Sequence, residues 1–302
     1  MQNPPVKKLL GYAAGLLIVF MWSGWIVASR SGATSPLTIY DVAALRFGIS
    51  GIIALPIVLY YKPWRSMSLF RIFAVSQLTG IAYILVVIQA FKFAPAAHGG
   101  VFMNGILPAI TIVLGWLWFR ERPHWIQQIG AALIIFGASI TLLGGSGFEM
   151  AGSWRGDLLF VLSGLFFAVY MVVTKLWSVT FHQILLCAPV VNGVIFTPIW
   201  FFFLPSGMAE ATMPDILLQG LYQGIIASLV GLSIVAFAVR QIGAPITAAF
   251  MSGVPALAGI LGFLILGEEF GLTGWLSILI LTPGIIITAV WSRPQKTPTT
   301  ET

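Results

Sequence analysis

Long apolar runs recur along nearly the whole chain and are separated by short polar breaks. Each run extends for about 20 residues, which is the length a helix needs to cross the hydrocarbon core of a bilayer. A β-barrel would instead show segments of about ten residues in which apolar and polar positions alternate, and the sequence has none. The pattern predicts an all-α fold: a polytopic membrane protein with ten transmembrane helices.

Charged and turn residues mark the ends of the ten predicted spans. The spans lie near residues 10–29, 41–60, 72–91, 99–119, 125–143, 157–175, 183–203, 215–239, 244–266 and 272–290. A linker, 144–156, separates a first five-helix repeat, 10–143, from a second one, 157–290. We expect residues 1–9 to form a cytoplasmic N-terminus and the polar, proline-rich residues 291–302 to form a disordered cytoplasmic tail.

The composition excludes several classes of function. The chain is 59% hydrophobic and 8% charged, whereas soluble domains carry roughly a quarter of charged residues. Its net charge of +6 comes from basic residues that stand singly at the ends of apolar runs, so no nucleic acid partner is predicted. A single cysteine, Cys187, permits neither an intrachain disulfide nor a thiolate metal site. The sequence contains no HExxH, Walker or dinucleotide-binding motif, and we therefore predict no cofactor, no metal and no enzymatic activity.

The distribution of lysine and arginine predicts the orientation. If both termini lie on one side, eleven basic residues fall on that side and three, Arg30, Lys92 and Arg155, fall on the other. The fifteenth, Arg46, lies within a span. Because basic loops stay in the cytoplasm, we predict a multi-pass protein of the cell (cytoplasmic or inner) membrane with both termini cytoplasmic.

The two halves of the chain are duplicates. A shift of 147 residues places Pro108 on Pro255 and Glu121 on Glu268, and a shift of 145 residues places Arg30 on Lys175. Five spans is an odd number, so the second repeat must enter the membrane inverted relative to the first. Inverted repeats are typical of secondary transporters, because two similar halves give two similar conformations that face opposite sides. The duplication therefore predicts alternating access.

The repeated motifs resemble a known family. An aromatic pair in span 1, the LRF triplet 45–47 in span 2, and a proline followed by an acid in span 4 are similar to an EamA-type domain; the residues are Trp22, Trp25, Pro108 and Glu121. Glycines in span 5 complete the pattern, and the second half repeats its proline, Gly-Glu and glycine parts. Two such domains in tandem resemble the ten-helix members of the drug/metabolite transporter (DMT) superfamily.

The resemblance implies a basket of helices 1–4 and 6–9 around a central substrate cavity, with helices 5 and 10 as supports. The second half departs from the pattern at two places. Val191 and Asn192 stand where an LRF-like sequence would be expected, and Ser277 stands where Gly130 predicts glycine. The departures leave open whether the second half takes part in any step that depends on arginine.

Aromatic and amide side chains inside the spans are the candidate substrate-binding residues. A small-molecule site is usually an apolar cavity with a few placed polar groups. The aromatic candidates are Trp22, Trp25, Tyr83, Phe102, Tyr170, Tyr222 and Phe250, and the amide candidates are Gln89, Asn104, Asn192 and Gln223. Each also has a structural interpretation, since aromatic side chains face lipid and amides bridge helices in many membrane proteins.

Arg46 is the one basic residue well inside a span, roughly 7 Å from Asp41 along the helix axis. A charge at that depth must face protein or water. One interpretation is a counter-charge for a carboxylate or phosphate on the substrate. The other is that the side chain reaches the nearby membrane interface, with Asp41 or a carbonyl group as its partner. The sequence leaves both open.

Two further features concern gating and coupling. Pro108 and Pro255 are predicted to be symmetry-related gating kinks, because proline removes a backbone hydrogen bond and bends a helix. No carboxylate lies in the middle of a predicted span, so His98 and His182 are the only nearby candidates for proton coupling. Facilitated diffusion or exchange therefore competes with proton antiport.

The predicted function is secondary transport of a small amphipathic metabolite, such as an amino acid or a related compound, with export favoured. The alternatives are an exchanger of phosphorylated sugars or nucleotide-sugars and a non-transporting membrane sensor or scaffold. The predicted partners are a small-molecule substrate and the lipid bilayer, and a homo-oligomer is left open.

Overall fold

The computed structural model describes residues 5–120, 122–143 and 153–291. Within these ranges it is all-helical, and ten helices are long and apolar enough to cross a membrane. The predicted fold class is confirmed. Glu121, most of the predicted linker and the predicted tail beyond Trp291 lie outside the described residues, whereas the first helix begins at Pro5, inside the predicted N-terminal segment.

Five of the spans are continuous helices. These are span 1, Pro5–Thr34; span 2, Ile39–Tyr61; span 5, Trp125–Leu143; span 6, Ser153–Leu176; and span 10, Gly271–Val290. A short 3-10 turn, Pro63–Ser66, follows span 2.

The other five spans are interrupted. Span 3 consists of Leu69–Thr79 and Ile81–Phe93, and span 9 of Ala244–Met251 and Val254–Leu266. Spans 4, 7 and 8 contain π-helical segments: span 4 is Ala96–Gly99, Gly100–Gly105 and Leu107–Phe119, span 7 is Phe181–Leu185, Leu186–Val191 and Asn192–Phe203, and span 8 is Met213–Gln219, Gly220–Val230 and Gly231–Ile242. Wide helical turns of this kind are frequent at functional sites.

The hydrophobic core is continuous at one end of the molecule and divided at the other. We call the side on which span 1 begins the N-terminal side, and the opposite side the far side. The largest buried cluster draws residues from all ten spans and lies mainly in their far-side halves. Toward the N-terminal side the buried residues form smaller separate clusters, one between spans 1 and 8 around Ala14 and Ala238, and another between spans 3, 6 and 7 around Val75 and Tyr170. The spans therefore share one continuous core at the far side and pack in separate groups at the N-terminal side.

Spans 5 and 10 contribute to the largest cluster and also form a close pair with each other. Gly130 and Gly137 of span 5 face Gly284 and Leu281 of span 10 with no room for a further carbon atom between the backbones. Ser277 stands where a glycine was predicted, and its hydroxyl donates to the Gly137 carbonyl at 2.5 Å. Serine therefore replaces glycine at this contact with an added hydrogen bond, as small polar residues do between membrane helices.

Candidate functional site

Gln223, in the π-helical segment of span 8, links three spans through one fully buried amide. Its Oε1 accepts from Trp25 Nε1 at 2.8 Å and from Arg46 Nη1 at 3.0 Å. Its Nε2 donates to the Ser29 hydroxyl at 2.8 Å. Because an indole and a guanidinium can only donate, the amide oxygen must face both of them. The amide thus joins spans 1, 2 and 8 near the centre of the molecule, toward its far side.

Arg46 has no acidic partner among the described residues. The two ion pairs found there are Arg30 with Glu268 and His98 with Asp157. Arg46 lies against the rings of Trp25 and Phe47, with Cζ 6.0 and 5.9 Å from the ring centroids, and its buried Nε has no hydrogen-bond partner. A charge placed at mid-membrane costs about 2.5 to 3.5 kcal/mol on insertion scales. This arginine therefore carries an uncompensated positive charge.

Asp41 does not serve as that partner, because five other donors occupy its carboxylate. Oδ1 accepts from Trp200 Nε1 at 2.8 Å and from the Ser206 hydroxyl at 2.7 Å. Oδ2 accepts from the amide of Gly207 and from both the amide and the hydroxyl of Thr38, each at 2.8 Å. Asp41 thus caps span 2 and fastens the connection between spans 7 and 8 to it.

Two more predicted aromatic residues lie beside this group. Trp22 packs edge-on against Trp25, with centroids 5.8 Å apart, and its buried Nε1 has no hydrogen-bond partner. Tyr83 of span 3 is buried and close enough to Arg46 for the two groups to interact electrostatically. Its hydroxyl donates to Met103 Sδ at 3.6 Å. We define Trp22, Trp25, Arg46, Tyr83 and Gln223 as the central group. It joins spans 1, 2, 3 and 8.

The other predicted aromatic residues lie outside the central group, and Phe102 of span 4 packs beside His98, with ring centroids 5.8 Å apart. Tyr170 is connected to Tyr83 through Phe167, with ring centroids 5.7 and 6.3 Å apart. Tyr222 packs its hydroxyl against Gly24 of span 1, where any side chain would collide with it. Phe250 lies against Gly15 and Tyr12, nearer to the N-terminal side.

Asn192 has a structural role in this conformation. Its Nδ2 donates to the carbonyls of Ala188, Cys187 and Ser76 at 2.7, 2.9 and 3.2 Å, and its Oδ1 accepts from the Ile81 amide at 3.2 Å. These are backbone groups freed by the break in span 3 and by the wide turn in span 7. An amide that satisfies them holds the two spans together where their helices are interrupted.

Gln89 and Asn104 are half-buried, in spans 3 and 4. Both predicted gating prolines begin a helical segment: Pro108 is the second residue of Leu107–Phe119, and Pro255 is the second residue of Val254–Leu266. Proline is well tolerated at the start of a helix. Pro255 is buried against Gly100 of span 4, whereas Pro108 is half-exposed.

Spans 1, 3, 4 and 9 meet at the far side through one ion pair. Arg30 Nε lies 2.6 Å from Glu268 Oε1, and Arg30 Nη1 also donates to the Phe91 carbonyl. Glu268 Oε2 accepts from the Ala96 amide at 2.8 Å and so caps span 4. In the sequence, these charges mark topology and the repeat but do not reveal that they pair. The available signal was topological, since Arg30 ends span 1 and Glu268 ends span 9 on the same side.

Nearly the whole chain resembles a known protein family. The EamA-like transporter family matches it twice, over residues 9–143 and 154–290. The chain belongs to this family. The predicted resemblance to the DMT superfamily is thereby confirmed, and members of the family are transporters rather than enzymes. This EamA-like transporter is therefore a multi-pass membrane protein that acts on a small-molecule substrate.

One curated protein and one solved structure are similar to the chain over nearly its whole length. The chain is 24% identical over 296 residues to a Bacillus subtilis (strain 168) protein named "Uncharacterized transporter YwfM", with 93% of this chain and 94% of that protein covered. A solved crystal structure shares the fold, with a TM-score of 0.63 at 17% identity over 98% of this chain and 100% of the other.

Proposed function

We propose that this EamA-like transporter moves a small amphipathic metabolite that bears a carboxylate, an amino acid or a related compound, by alternating access through a cavity lined by the central group. The observation that carries the substrate class is the uncompensated charge of Arg46. Arg46 is half-buried, and a cation in such a site that receives no carboxylate from the protein is stabilised when the ligand supplies one.

The neighbouring groups favour the same ligand. Trp22 Nε1 and Arg46 Nε are both buried without hydrogen-bond partners, and both can only donate. A ligand that pairs with these two donors must accept hydrogen bonds, as a carboxylate does. The buried rings of Trp25 and Tyr83 make the surroundings of the guanidinium apolar, which suits the rest of an amphipathic molecule. One cation also fits a singly charged ligand better than a doubly charged phosphate ester.

We assign the N-terminal side to the cytoplasmic face of the cell membrane, because eleven basic residues fall on that side and three on the other. The continuous far-side core and the divided N-terminal side then correspond to a conformation that is closed to the outside and open to the cytoplasm. A carrier that loads its substrate from the cytoplasm is suited to export. In this scheme Pro108 and Pro255 mark the points at which spans 4 and 9 bend.

Counterflow into proteoliposomes with radiolabelled amino acids and sugar phosphates tests the proposal. We expect exchange of at least one amino acid, competition by the free acid and little competition by its methyl ester. Arg46→Gln should lower the transport efficiency by about thirtyfold or more, because removing one member of a buried charge pair costs at least about 2 kcal/mol. Arg240→Gln, which removes an exposed arginine of span 8, is the matched control and should transport normally.

The proposal fails if the folded protein exchanges no carboxylate. It also fails if Arg46→Gln discriminates between the acid and its ester as strongly as the wild type does, since Arg46 would then not contact the carboxylate.

A further inference from the structure

His98 of span 4 and Asp157 of span 6 form a buried pair at the far side. His98 Nδ1 lies 2.7 Å from Asp157 Oδ1, and each side chain is only 3% exposed. Aromatic rings surround the pair, with the centroids of Phe102 and Phe270 at 5.8 and 6.1 Å from that of His98. The central group contains neither residue, so the transport scheme above leaves this pair without a role.

The surroundings of the pair favour one bound proton. Asp157 Oδ2 is buried and has no hydrogen-bond partner among the described residues. A neutral imidazole beside an ionised carboxylate would leave a net negative charge with one unsatisfied oxygen in apolar surroundings, which is costly. One proton, on either residue, makes the pair neutral overall. The closed and apolar surroundings therefore favour the neutral form of the pair.

The duplication does not repeat this pair. Asp157 corresponds to Tyr12, and His98 corresponds to Pro245 or Ile246, according to whether the shift is 147 or 148 residues. Neither counterpart changes its charge near neutral pH. The ion pair of Arg30 and Glu268, in contrast, corresponds to Lys175 and Glu121. A proton at His98 and Asp157 therefore affects one of the two conformations and has no counterpart in the other.

The symmetry also indicates in which conformation Asp157 becomes exposed. Tyr12 is 42% exposed, whereas Asp157 is 2% exposed. In an inverted repeat, the second conformation gives each half the arrangement that the other half has in the first. Asp157 would then become exposed, as Tyr12 is here, when the far side opens.

We propose that His98 and Asp157 form a proton-binding site that takes one proton from the far-side solution as the far side closes and returns it to that solution on reopening. This inference rests on the alternating access proposed above. A ligand that binds one conformation more tightly shifts the equilibrium toward it. Acid on the far side therefore favours closure, by up to about tenfold in the equilibrium constant per pH unit for one proton.

Other charges at this end do not replace the pair. Glu268 and Arg30 neutralise each other, and the carboxylate of Glu268 is occupied by the Ala96 amide as well. Four further charged side chains at the same end, Lys92, Arg155, Glu210 and Glu269, are exposed. The carboxylate of Asp41 is occupied by its five donors, and that of Asp215 caps the start of span 8.

Spin-label distances in nanodiscs test the site without a substrate. One label pair, on Thr34 and Lys92, spans the ends of spans 1 and 3 at the far side. A second pair, on Lys175 and Arg240, spans the ends of spans 6 and 8 at the N-terminal side. All four positions are exposed, and the native Cys187 is fully buried. Acidification from about pH 8 to about pH 5, the range in which histidine titrates, should shorten the far-side distance and lengthen the N-terminal one.

Asp157→Asn and His98→Gln should each abolish this pH response. Asp215→Asn is the matched control, because Asp215 is another far-side carboxylate that caps the start of span 8, and it should respond as the wild type does. A wild type that does not respond, or a response that persists in both variants, overturns the proposal. If Asp157→Asn does not fold, the wild-type titration and His98→Gln still decide.

Arg30→Ala at constant pH separates the two proposals. If Arg30→Ala changes the two label distances while acidification does not, the proposed proton site is wrong and alternating access stands. If neither changes them, alternating access is wrong.

Discussion

The two ends of the molecule hold duplicated residues in opposite surroundings. At the far side, Arg30 is 13% exposed and paired with Glu268, and the core around the pair is continuous. At the N-terminal side, Lys175 occupies the position that corresponds to Arg30 and is exposed, in a region where the core is divided. The partner that the repeat predicts for it, Glu121, lies outside the described residues. Similar sequences thus adopt two arrangements, which is what an alternating carrier needs at its two ends.

Spans 5 and 10 behave differently, because they are related by the repeat and contact each other along a close interface. Gly137 of span 5 and Gly284 of span 10 correspond at a shift of 147, and each lies against the backbone of the other span. A contact that is nearly the same from both sides need not change when the conformation does. We therefore expect this pair to remain fixed while the other spans move.

Arg30→Ala should have the largest effect on the comparison of the two ends. It leaves Glu268 with one partner fewer in a mostly buried site, and we expect a loss of about 2 to 3 kcal/mol in the free energy of unfolding. Lys175→Ala is the matched control and should cost less than about 0.5 kcal/mol, since its side chain is exposed. Thermal unfolding in detergent measures both. Equal losses would show that the two ends do not differ as described.

Asn192→Ala should rank next. It leaves the buried backbone groups of spans 3 and 7 without partners, and we expect a loss of about 2 kcal/mol. Asn104→Ala, at a half-buried position of span 4, should change the stability by less than about 1 kcal/mol. Parallel unfolding and counterflow measurements separate a structural amide from one that serves the cavity. If Asn192→Ala is as stable as the wild type, Asn192 does not have the structural role described.

Gly284→Ala tests the fixed pair. The added carbon would lie 2.7 Å from the Gly130 carbonyl oxygen, so the two helices must separate, at a cost of about 1 to 2 kcal/mol. Gly115→Ala has nothing within 4 Å of the added carbon and should be neutral or slightly stabilising. The stabilities of the two variants check this expectation, and an unaffected Gly284→Ala would contradict the close interface.

The smallest effect on stability is expected for the prolines. Both begin a helical segment, so Pro108→Ala and Pro255→Ala should each change the stability by less than about 1 kcal/mol. Pro255 is packed against span 4 and Pro108 is half-exposed, so Pro255→Ala should change the far-side label distance more. The reverse order would show that the asymmetry of the two prolines does not concern gating.

Much of the fold could be predicted because a bilayer restricts the sequence strongly. The span length, the short polar breaks and the duplication of Pro108 and Pro255 each report a constraint of the membrane or of symmetry. The sequence also selected Trp25, Arg46 and Gln223, since polar and aromatic residues within a span are few. Their hydrogen bonds could not be predicted, because they depend on how spans 1, 2 and 8 rotate toward one another. The burial of Asp157 was missed because a position near a span end indicates exposure until a second span packs over it.

Alternating access requires the two ends to open in turn, and the two spin-label pairs measured in Arg30→Ala test this requirement. We predict that the distance between Thr34 and Lys92 at the far side lengthens while the distance between Lys175 and Arg240 at the N-terminal side shortens. If the far side opens while the N-terminal distance stays unchanged, the two ends are not coupled and alternating access is wrong.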